Sequence, residues 1–369
     1  MSNIIIFYGS KEKFNEKLPD DYENLTEIVY ETDKDSKQFT LVVPTNNGEN
    51  VEEKEEKRFV ENLVVSSDEY AGVREHVIIN FANFLAKLDV RNIYLQNPPI
   101  HISQQIQRLY EHVDVQHQKY TDISIDHLKD IKKNYTSTVI GQENVRTEII
   151  QSLFPLTLTT REKPVVLMFY GKSGIGKTET AKYLADVVKE SLFRKQFSMF
   201  QNNQFSTYLF GGAHYEKSFA KDLLDRESNI LLLDEFDKAH PSFHSAFYQL
   251  FDEGIYEDQN YYLELKKSVI ICTSNYQDLD EIEKELGSAI FNRFDKIIEF
   301  TDLSNDAKKE IGKRWFLELS TQYEEQYGKK LPQVIKERLE SSYSECENAR
   351  QIRHLIEETF SHYLVSGIE

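Results

Sequence analysis

The sequence predicts an α/β fold: a parallel sheet with flanking helices, preceded by a separate small α/β domain and followed by an α-helical part. Three observations lead to this fold class. At 369 residues the chain exceeds what one hydrophobic core usually serves, so two or three domains are expected. The middle of the chain repeats a strand, loop and helix pattern, which is typical of parallel sheets. From about residue 303 the apolar residues recur at helical spacing instead.

The first third has the pattern of a small α/β domain. The runs NIIIFYG, LTEIVY and FTLVVP are rich in β-branched and aromatic residues, and each predicts a strand. NIYLQ predicts a further strand, and the polar stretch 117–124 is the predicted linker to the next domain. A helix is predicted from Asp68 to Leu88 because apolar residues in it fall at helical spacing. These residues are Val73, Val77, Ile78, Phe81, Phe84, Leu85 and Leu88.

Composition and charge argue against several classes of function. Lys and Arg total 44 against 62 Asp and Glu, and the net charge of −18 gives no long-range attraction to nucleic acid or anionic lipid. The longest apolar runs are far shorter than the roughly 20 residues of a membrane-spanning helix, so no membrane association is expected. The N-terminus resembles no secretory signal, which predicts a cytoplasmic protein. Cys272 and Cys346 are too few for a disulfide framework or a cysteine-rich metal site.

VVLMFYGKSGIGKTETAKYLA, residues 165–185, places the pattern G-x-x-x-x-G-K-[ST] between an apolar strand and a helix. Backbone N–H groups of such a loop converge on phosphates at a helix N-terminus. Lys177 would reach the β- and γ-phosphates, and the Thr178 hydroxyl would bind Mg²⁺. The sequence therefore predicts ATP and Mg²⁺ as cofactors. The residues expected at the nucleotide are Gly171, Gly174, Ile175, Gly176, Lys177 and Thr178.

Two further apolar strands end in polar residues suited to hydrolysis. NILLLDEFDKAHP would present Asp234 to the magnesium shell through water, and Glu235 to the attacking water as a general base. KKSVIICTSNYQ would place Asn275 where it could hold that water by a hydrogen bond. The alternative for Asn275 is an ordinary strand-terminating turn.

These segments together resemble an AAA+ ATPase, and are most similar to the second ATPase module of Clp-type unfoldases and disaggregases. The resemblance covers roughly residues 124–365 and leaves the N-terminal third unmatched. It implies an AAA+ P-loop core, a C-terminal helical lid and a homo-oligomeric ring, a hexamer in the usual case. The segments that carry it are TVIGQENVR, GKSGIGKTETAKYLA, LLLDEFDKAHPSF, FYQLFDEGIYED, VIICTSN, FNRFDKIIEF and NARQIRHLIEE.

The resemblance also implies roles for individual residues. Val139 and Ile140 would contact adenine, and Asn275 would be sensor one. Arg293 would be the arginine finger that completes a neighbouring subunit's site, a contribution typically of about 10³ to 10⁵ in rate. Arg350 would be sensor two, provided by the lid.

Two of these assignments have alternatives. Arg293 could instead pair locally with Asp295 or Glu299. The family usually has a glycine two residues before the sensor-two arginine, where this chain has Asn348, so Arg353 competes with Arg350.

The span from Leu209 to Asp234 departs from the family. The relatives carry a Gly-Tyr-Val-Gly loop that projects into the central pore, whereas this chain is several residues shorter there. We expect that ordinary threading of polypeptide is lost, and whether Tyr215 still acts in the pore is open. The remaining residues are Gly211, Gly212, Ala213, His214 and Tyr215.

The leading interpretation is an AAA+ ATPase that couples Mg·ATP hydrolysis to remodelling of a protein partner. The predicted domains are a recognition domain at 1–120, the large ATPase domain at 121–302 and the helical lid at 303–369. The N-terminal domain would choose the partner. A protease partner is not indicated because no protease-docking tripeptide is recognisable. One alternative is a nucleotide-gated assembly switch that unfolds nothing, and a weaker one is a nucleic-acid loader.

Overall fold

The computed structural model of the chain describes residues 3–38, 57–199, 204–328 and 331–366. The chain divides into two compact units. The first unit contains residues 1–120, 202–227 and 255–264, and the second contains residues 121–201, 228–254 and 265–369. Each unit is built on a five-stranded sheet with helices, which confirms the predicted α/β fold class.

The first unit has five parallel strands in the order β2-β3-β4-β1-β5. Parallel neighbours need crossover connections, and short helices supply most of them. The strands are β1 (Asn3–Tyr8), β2 (Glu23–Asn24), β3 (Arg58–Val65), β4 (Leu88–Gln96) and β5 (Asp114–His117). The helices are Lys11–Asn15, Leu25–Gln38, Glu69–Gly72, Glu75–Ile79, Phe81–Leu85, Ile100–Leu109, Gln204–Phe210 and Phe219–Leu224.

Two of the predicted strands in this unit are confirmed and one is wrong. NIIIFYG forms β1, and NIYLQ is the second half of β4. LTEIVY lies instead in the helix Leu25–Gln38. Leu25 and Ile28, one turn apart, are buried while Tyr30 is 73% exposed, so the burial follows helical period rather than strand alternation. FTLVVP falls outside the described residues.

The single helix predicted from Asp68 to Leu88 is also wrong, although its apolar residues are buried as expected except for the half-buried Phe84. The segment forms three short helices and then enters β4. Val73 and Arg74 have extended backbone, and Asn80 lies outside the helical region with φ −113° and ψ 36°. Helical spacing of apolar residues therefore identified the buried face but not the breaks.

The second unit has five parallel strands in the order β12-β6-β11-β8-β7. The strands β6, β8 and β11 are buried along their whole length, as expected for a parallel sheet covered on both faces. β9 (Ile255–Glu257) and β10 (Tyr262–Glu264) form an antiparallel hairpin that belongs to the first unit. The five strands of the second unit are β6 (Val165–Tyr170), β7 (Phe193–Gln196), β8 (Ile230–Asp234), β11 (Val269–Thr273) and β12 (Lys296–Glu299).

The C-terminal part of the second unit is helical, as predicted. Gly312 allows the helix Asn305–Tyr327 to approach the ring of Tyr343 closely, since a Cβ there would collide with that ring. Tyr323 stacks on Phe360 at 4.7 Å between ring centroids. The α-helices of this unit are Ile125–Thr138, Glu143–Leu153, Lys177–Val188, Tyr248–Glu253, Leu279–Leu286, Ser288–Phe291, Asn305–Tyr327, Gln333–Ser342 and Ala349–Val365.

Candidate functional site

A glycine loop, residues 171–176, connects β6 to the helix Lys177–Val188. Gly171 has φ +125°, and a Cβ there would collide with the carbonyl oxygen of Phe300. Gly176 has φ +117° at the residue before the helix. Both positions need glycine because other L-residues rarely adopt this backbone. The loop thus brings unobstructed backbone to the start of a helix, the usual arrangement for binding phosphate.

Lys177 lies across the mouth of this loop. Its Nζ donates to the carbonyl oxygens of Gly171 and Lys172, the latter at 2.7 Å, and lies 3.4 Å from Asn275 Oδ1. The residue is 8% exposed, and this burial lowers its pKa to about 8. Because its hydrogen bonds go to neutral carbonyl oxygens, this cation is well placed to exchange them for phosphate oxygens. Thr178 follows in the first turn of the helix and is half-buried.

Asp234 ends β8 and is 6% exposed. Its Oδ1 accepts the Thr273 hydroxyl at 2.5 Å. Its Oδ2 accepts two hydrogen bonds from the guanidinium of Arg194, from Nε at 3.0 Å and from Nη2 at 2.5 Å. Both carboxylate oxygens are therefore held by protein donors. Arg194 lies on β7, and sequence reasoning missed it because nothing local shows that β7 pairs with β8.

Glu235 follows at once and has a left-handed backbone, with φ 56°. This conformation is uncommon for a residue other than glycine and often marks a functional position. Hydrogen bonds from Ser198 and Gln196 lower the pKa of the Glu235 carboxyl. The Gln196 bond, from Nε2 to Oε2, is 3.0 Å long. Glu235 is thus held as a carboxylate by two donors that sequence reasoning also missed.

Asn275 lies just beyond β11, whose neighbours in the sheet are β6 and β8. Because the three strands are parallel, their carboxyl ends meet at one edge. This edge brings together Lys177, Asp234, Glu235 and Asn275. The proximity of Asn275 to Lys177 is consistent with the predicted position of sensor one. The sensor role of Asn275 stays a prediction.

The two residues that the family resemblance predicts to contact adenine, Val139 and Ile140, lie next to the glycine loop. Val139 is buried at the end of the helix Ile125–Thr138, and its Cγ1 would be 3.3 Å from a Cβ on Gly176. Ile140 is half-buried against the same core. The buried Gln142 donates through Nε2 to the carbonyl oxygen of Ile175 at 3.0 Å and so fixes the loop. Gln142 is another residue that sequence reasoning missed.

The start of the C-terminal helix also contacts the loop. Arg350 Nη1 donates to Ser173 Oγ at 2.9 Å, and the Ala349 N–H donates to the carbonyl oxygen of Gly174 at 3.1 Å. Arg353, the competing candidate, pairs with Glu357 at 2.8 Å. The structure thus brings Arg350 to the loop, while the sensor role of either arginine stays a prediction.

Arg293 has local partners that differ from those considered in the sequence. Its Nε pairs with Asp252 at 2.8 Å, and its guanidinium lies 4.3 Å from the centre of the Tyr248 ring. Asp295 instead accepts from the Val166 N–H at 2.8 Å and pairs with Arg161. Arg293 therefore does pair locally, but with Asp252 rather than with Asp295 or Glu299. A finger role would need a second chain and stays a prediction.

The shortened loop, residues 211–217, belongs to the first unit and is tied down along its length. His214 is 5% exposed, and its Nε2 donates to the carbonyl oxygen of Val73 at 3.1 Å. Lys221 Nζ donates to the carbonyl oxygens of His214 and Glu216. In contrast, the Tyr215 side chain is 61% exposed.

Comparison with known proteins identifies the core of the chain. Residues 162–311 match the family AAA domain (Cdc48 subfamily). The chaperone protein ClpB of Malacoplasma penetrans is 25% identical over 66% of this chain and 38% of its own length. The Clp protease ATP-binding subunit ClpL of Staphylococcus aureus RF122 is 29% identical over 51% of this chain and 30% of its own length. The matched region resembles a Clp-type AAA+ ATPase module.

The matches to ClpB and ClpL confirm the predicted resemblance to Clp-type ATPases. The chain spans about a third of the length of the curated relatives it matches. Among the residues that the structure describes, no helix is both long and apolar enough to cross a bilayer. In the same residues, no group of three or more His, Cys, Asp and Glu side chains is arranged to hold a metal by itself.

Proposed function

We propose that the protein hydrolyses Mg·ATP at this sheet edge and uses the cycle to remodel a protein partner. The observation that carries the proposal is the convergence of Lys177, Asp234, Glu235 and Asn275 at the carboxyl ends of β6, β8 and β11. Opposite charges and a water-orienting amide lie together there beside a glycine loop. This is the set of groups that phosphoryl transfer to water needs.

The residues fit ATP and Mg²⁺. A Cβ on Gly171 would collide with the carbonyl oxygen of Phe300, so this position needs glycine and presents bare backbone. Mg²⁺ usually keeps several waters and takes one or two carboxylates together with phosphate oxygens. Thr178 and Asp234, the latter through water, are the residues that would hold it. The bound ion supplies neutralisation of the charge on the phosphates.

Each residue has a defined task in this proposal. Lys177 binds the terminal phosphates and offsets the charge that develops on them. Glu235 accepts a proton from the attacking water, and its lowered pKa keeps it ionised for that purpose. Asn275 orients the same water.

Arg194 adds a condition to the cycle. Arg194 donates two hydrogen bonds to Oδ2 of Asp234 and Thr273 donates one to Oδ1, so movement of Arg194 would free Oδ2 for a water of the magnesium shell. Arg194 is 42% exposed on its side chain and has space to move towards solvent. We propose that it competes with Mg²⁺ for this carboxylate.

We further propose that the protein works in the cytoplasm as a homo-oligomeric ring of about six chains. Residues 121–302 would form the ATPase domain and 303–369 its lid. Arg293 would leave Asp252 and reach the γ-phosphate of the neighbouring chain. Arg350 would report the nucleotide from the lid to the glycine loop, which it already contacts through Ser173. Val139 and Ile140 would contact the adenine.

Residues 1–120 would select the protein partner, and no protease partner is proposed. The anchoring of residues 211–217 by Val73, Lys221 and Asn260 supports a cycle without ordinary threading. A loop that is hydrogen-bonded to residues on both sides of it in this way would not move along a pore together with a substrate. The same observation favours the second candidate, a nucleotide-gated assembly switch that unfolds nothing.

The test combines ATP turnover with light scattering after size exclusion, on the unmodified chain and on Glu235→Gln. We expect Mg·ATP to drive Glu235→Gln into a ring that does not turn over, because nucleotide binds but the base is gone. Glu310→Gln, an exposed change in the same unit, should behave as the unmodified protein. Equal turnover in all three proteins would refute the assignment of Glu235.

Turnover and assembly separate the two candidates. Rapid hydrolysis that increases when a partner protein is added supports remodelling. Slow hydrolysis combined with nucleotide-dependent assembly supports the switch. A chain that stays monomeric with Mg·ATP at micromolar concentration would contradict the ring.

A further inference from the structure

A cavity of about 470 Å³ opens in the first unit at the carboxyl ends of β1 and β5. Its walls are the end of β1, the segment after β5, and the helix Lys11–Asn15 with the turn that follows it. This cavity lies outside the AAA+ module's nucleotide site. We propose that it binds a phosphate-bearing small molecule of about the size of a nucleoside monophosphate.

The charge of the cavity is the first argument. Lys13, Lys17 and Lys119 line it against a single carboxylate, that of Glu16. The whole chain carries a net charge of −18, so the cavity reverses the sign of its surroundings. Several ammonium groups around one concave site favour a multivalent anion, and phosphate is the common small one in cells.

The position in the sheet is the second argument. Ligands of open parallel sheets bind outside the carboxyl ends of the strands. Between β1 and β4 this edge is filled, since Asn97 and Gln96 hydrogen-bond with the backbone of Gly9. Between β1 and β5 the Gln118 side chain holds the turn after β1, and the cavity opens beside it. The cavity therefore lies at the edge of the sheet where ligands of open parallel sheets bind.

The walls are held in place by their own contacts. Gln118 accepts the Ser10 N–H on its Oε1 at 2.6 Å, and its backbone N–H donates to the carbonyl oxygen of Tyr8 at 2.8 Å. These bonds fix the segment after β5 to the turn after β1. Lys17 Nζ lies 5.2 Å from the centre of the Phe7 ring, which supports its stem at the cavity wall.

Glu16 gives the proposal a specific sign. It pairs with Lys13 at 2.6 Å and so competes with any anion for that ammonium. Removal of the Glu16 charge should free Lys13 and remove a repulsion. The proposal therefore predicts tighter anion binding in Glu16→Gln, and weaker anion binding when the charges of Lys13 and Lys17 are reversed by substitution with Glu.

The experiment uses the full chain with Lys177→Ala, so that the nucleotide site of the AAA+ module does not contribute. Calorimetry with AMP, and separately with inorganic phosphate, compares this background with the added changes Lys13→Glu and Lys17→Glu. We expect saturable binding in the Lys177→Ala background, and an affinity about tenfold or more lower when Lys13→Glu and Lys17→Glu are added. Glu16→Gln should increase affinity several-fold.

Lys129→Glu with Lys182→Glu, two exposed lysines of the second unit, is the matched control for charge and should leave binding unchanged. If Lys13→Glu with Lys17→Glu fails to fold, the exposed Lys119→Glu on the opposite wall replaces it. Equal weakening in the control variant overturns the proposal, as does the lack of saturable binding by either probe at millimolar concentration. Binding of phosphate but not AMP narrows the ligand to a smaller anion and still supports the site.

Because the background lacks Lys177, failure here leaves the proposed ATP hydrolysis untouched. Conversely, a protein that does not hydrolyse ATP can still bind the anion in this cavity. The two proposals therefore fail by different measurements.

Discussion

The two parallel sheets of this protein share a sequence motif at the end of one strand but differ in the loop that follows it. β1 and β6 both end in Phe-Tyr and are followed by glycine, at Phe7–Gly9 and Phe169–Gly171. After Gly171 the chain makes a glycine loop before its helix, whereas after Gly9 only Ser10 precedes the helix Lys11–Asn15. A longer loop leaves room for phosphate between a strand and the helix that follows it, and a shorter one does not. Loop length rather than sheet type thus decides which of the two strands can form a phosphate-binding loop with its own helix.

The side chains at the two edges differ in the same direction. The second unit presents Lys177, Asp234 and Glu235, whose charges are suited to Mg·ATP. The first unit presents Gln96 and Asn97, whose amides bond with the backbone of Gly9. Amides that satisfy a neighbouring backbone stabilise the fold, whereas charges held at a strand end are available for a ligand.

The largest expected effect on this comparison is the loss of nucleotide binding in Lys177→Ala. The ammonium should make charge-assisted hydrogen bonds with two phosphates, and their loss should weaken ATP binding at least about 100-fold. Fluorescent-nucleotide titration measures it. Lys182→Ala, on the exposed face of the same helix, should bind normally. Equal affinities of the two variants would show that the second sheet edge is not the nucleotide site.

Acid should weaken the second unit through His244. Burial lowers the pKa of His244 to about 4 from its ordinary 6.5. The unfolded chain therefore takes up this proton first as the pH falls, so the contribution of His244 to stability is constant above pH 6.5 and declines between pH 6.5 and 4. The loss should reach about 3 kcal/mol at pH 4.

Denaturant unfolding of the unmodified protein and His244→Phe across this pH range measures that loss. Phe is chosen because His244 stacks on Phe236 at 5.2 Å. Since other groups also titrate, the relevant quantity is the difference between the two proteins. A pH dependence that is the same in both would exclude His244 as its source.

A smaller effect is expected from Asn97→Gly at the edge of the first sheet. Asn97 has φ 45°, which glycine adopts without strain, so this change removes the amide alone. The Gly9 N–H loses its acceptor in a buried site, and the free energy of unfolding should fall by about 2 kcal/mol. Asn92→Gly on β4, whose amide bonds are partly exposed, provides the control. No difference between the two variants would mean that the amide network does not hold this edge.

The smallest effect should come from Arg194→Gln. A half-exposed ion pair contributes about 1 kcal/mol, so release of Asp234 should lower the Mg²⁺ concentration for half-maximal ATP binding about fivefold. A Mg²⁺ titration at fixed ATP measures the change, and Lys195→Gln on the same strand is the control. A higher Mg²⁺ requirement would instead indicate that Arg194 contacts the phosphates.

The sequence was informative wherever a pattern is local. The glycine loop and the buried strands β6, β8 and β11 could be predicted because each continuous apolar run, with the glycine or polar residues at its end, lies within a single segment. Arg194, Gln196 and Ser198 could not be predicted, since they reach Asp234 and Glu235 only through the pairing of β7 with β8. Gln142 was missed because its hydrogen bond to Ile175 joins residues that are 33 positions apart in the sequence. LTEIVY was assigned to a strand because a segment of six residues is too short to distinguish helical from strand periodicity. In the structure Leu25 and Ile28 are buried one helical turn apart.

The interleaved course of the first unit has a consequence for biosynthesis. Val73 bonds with His214, the Ile100 N–H donates to the carbonyl oxygen of Asn260, and the Lys11 N–H donates to Asp225. The ribosome must therefore add the residues from 121 to 264 before the first unit has all its partners. At roughly 5–20 residues per second this takes on the order of 10 s. During that interval the N-terminal sheet is exposed without its later segments, so nascent chains would need protection from aggregation, and a fragment that stops at residue 120 would stay in that incomplete form.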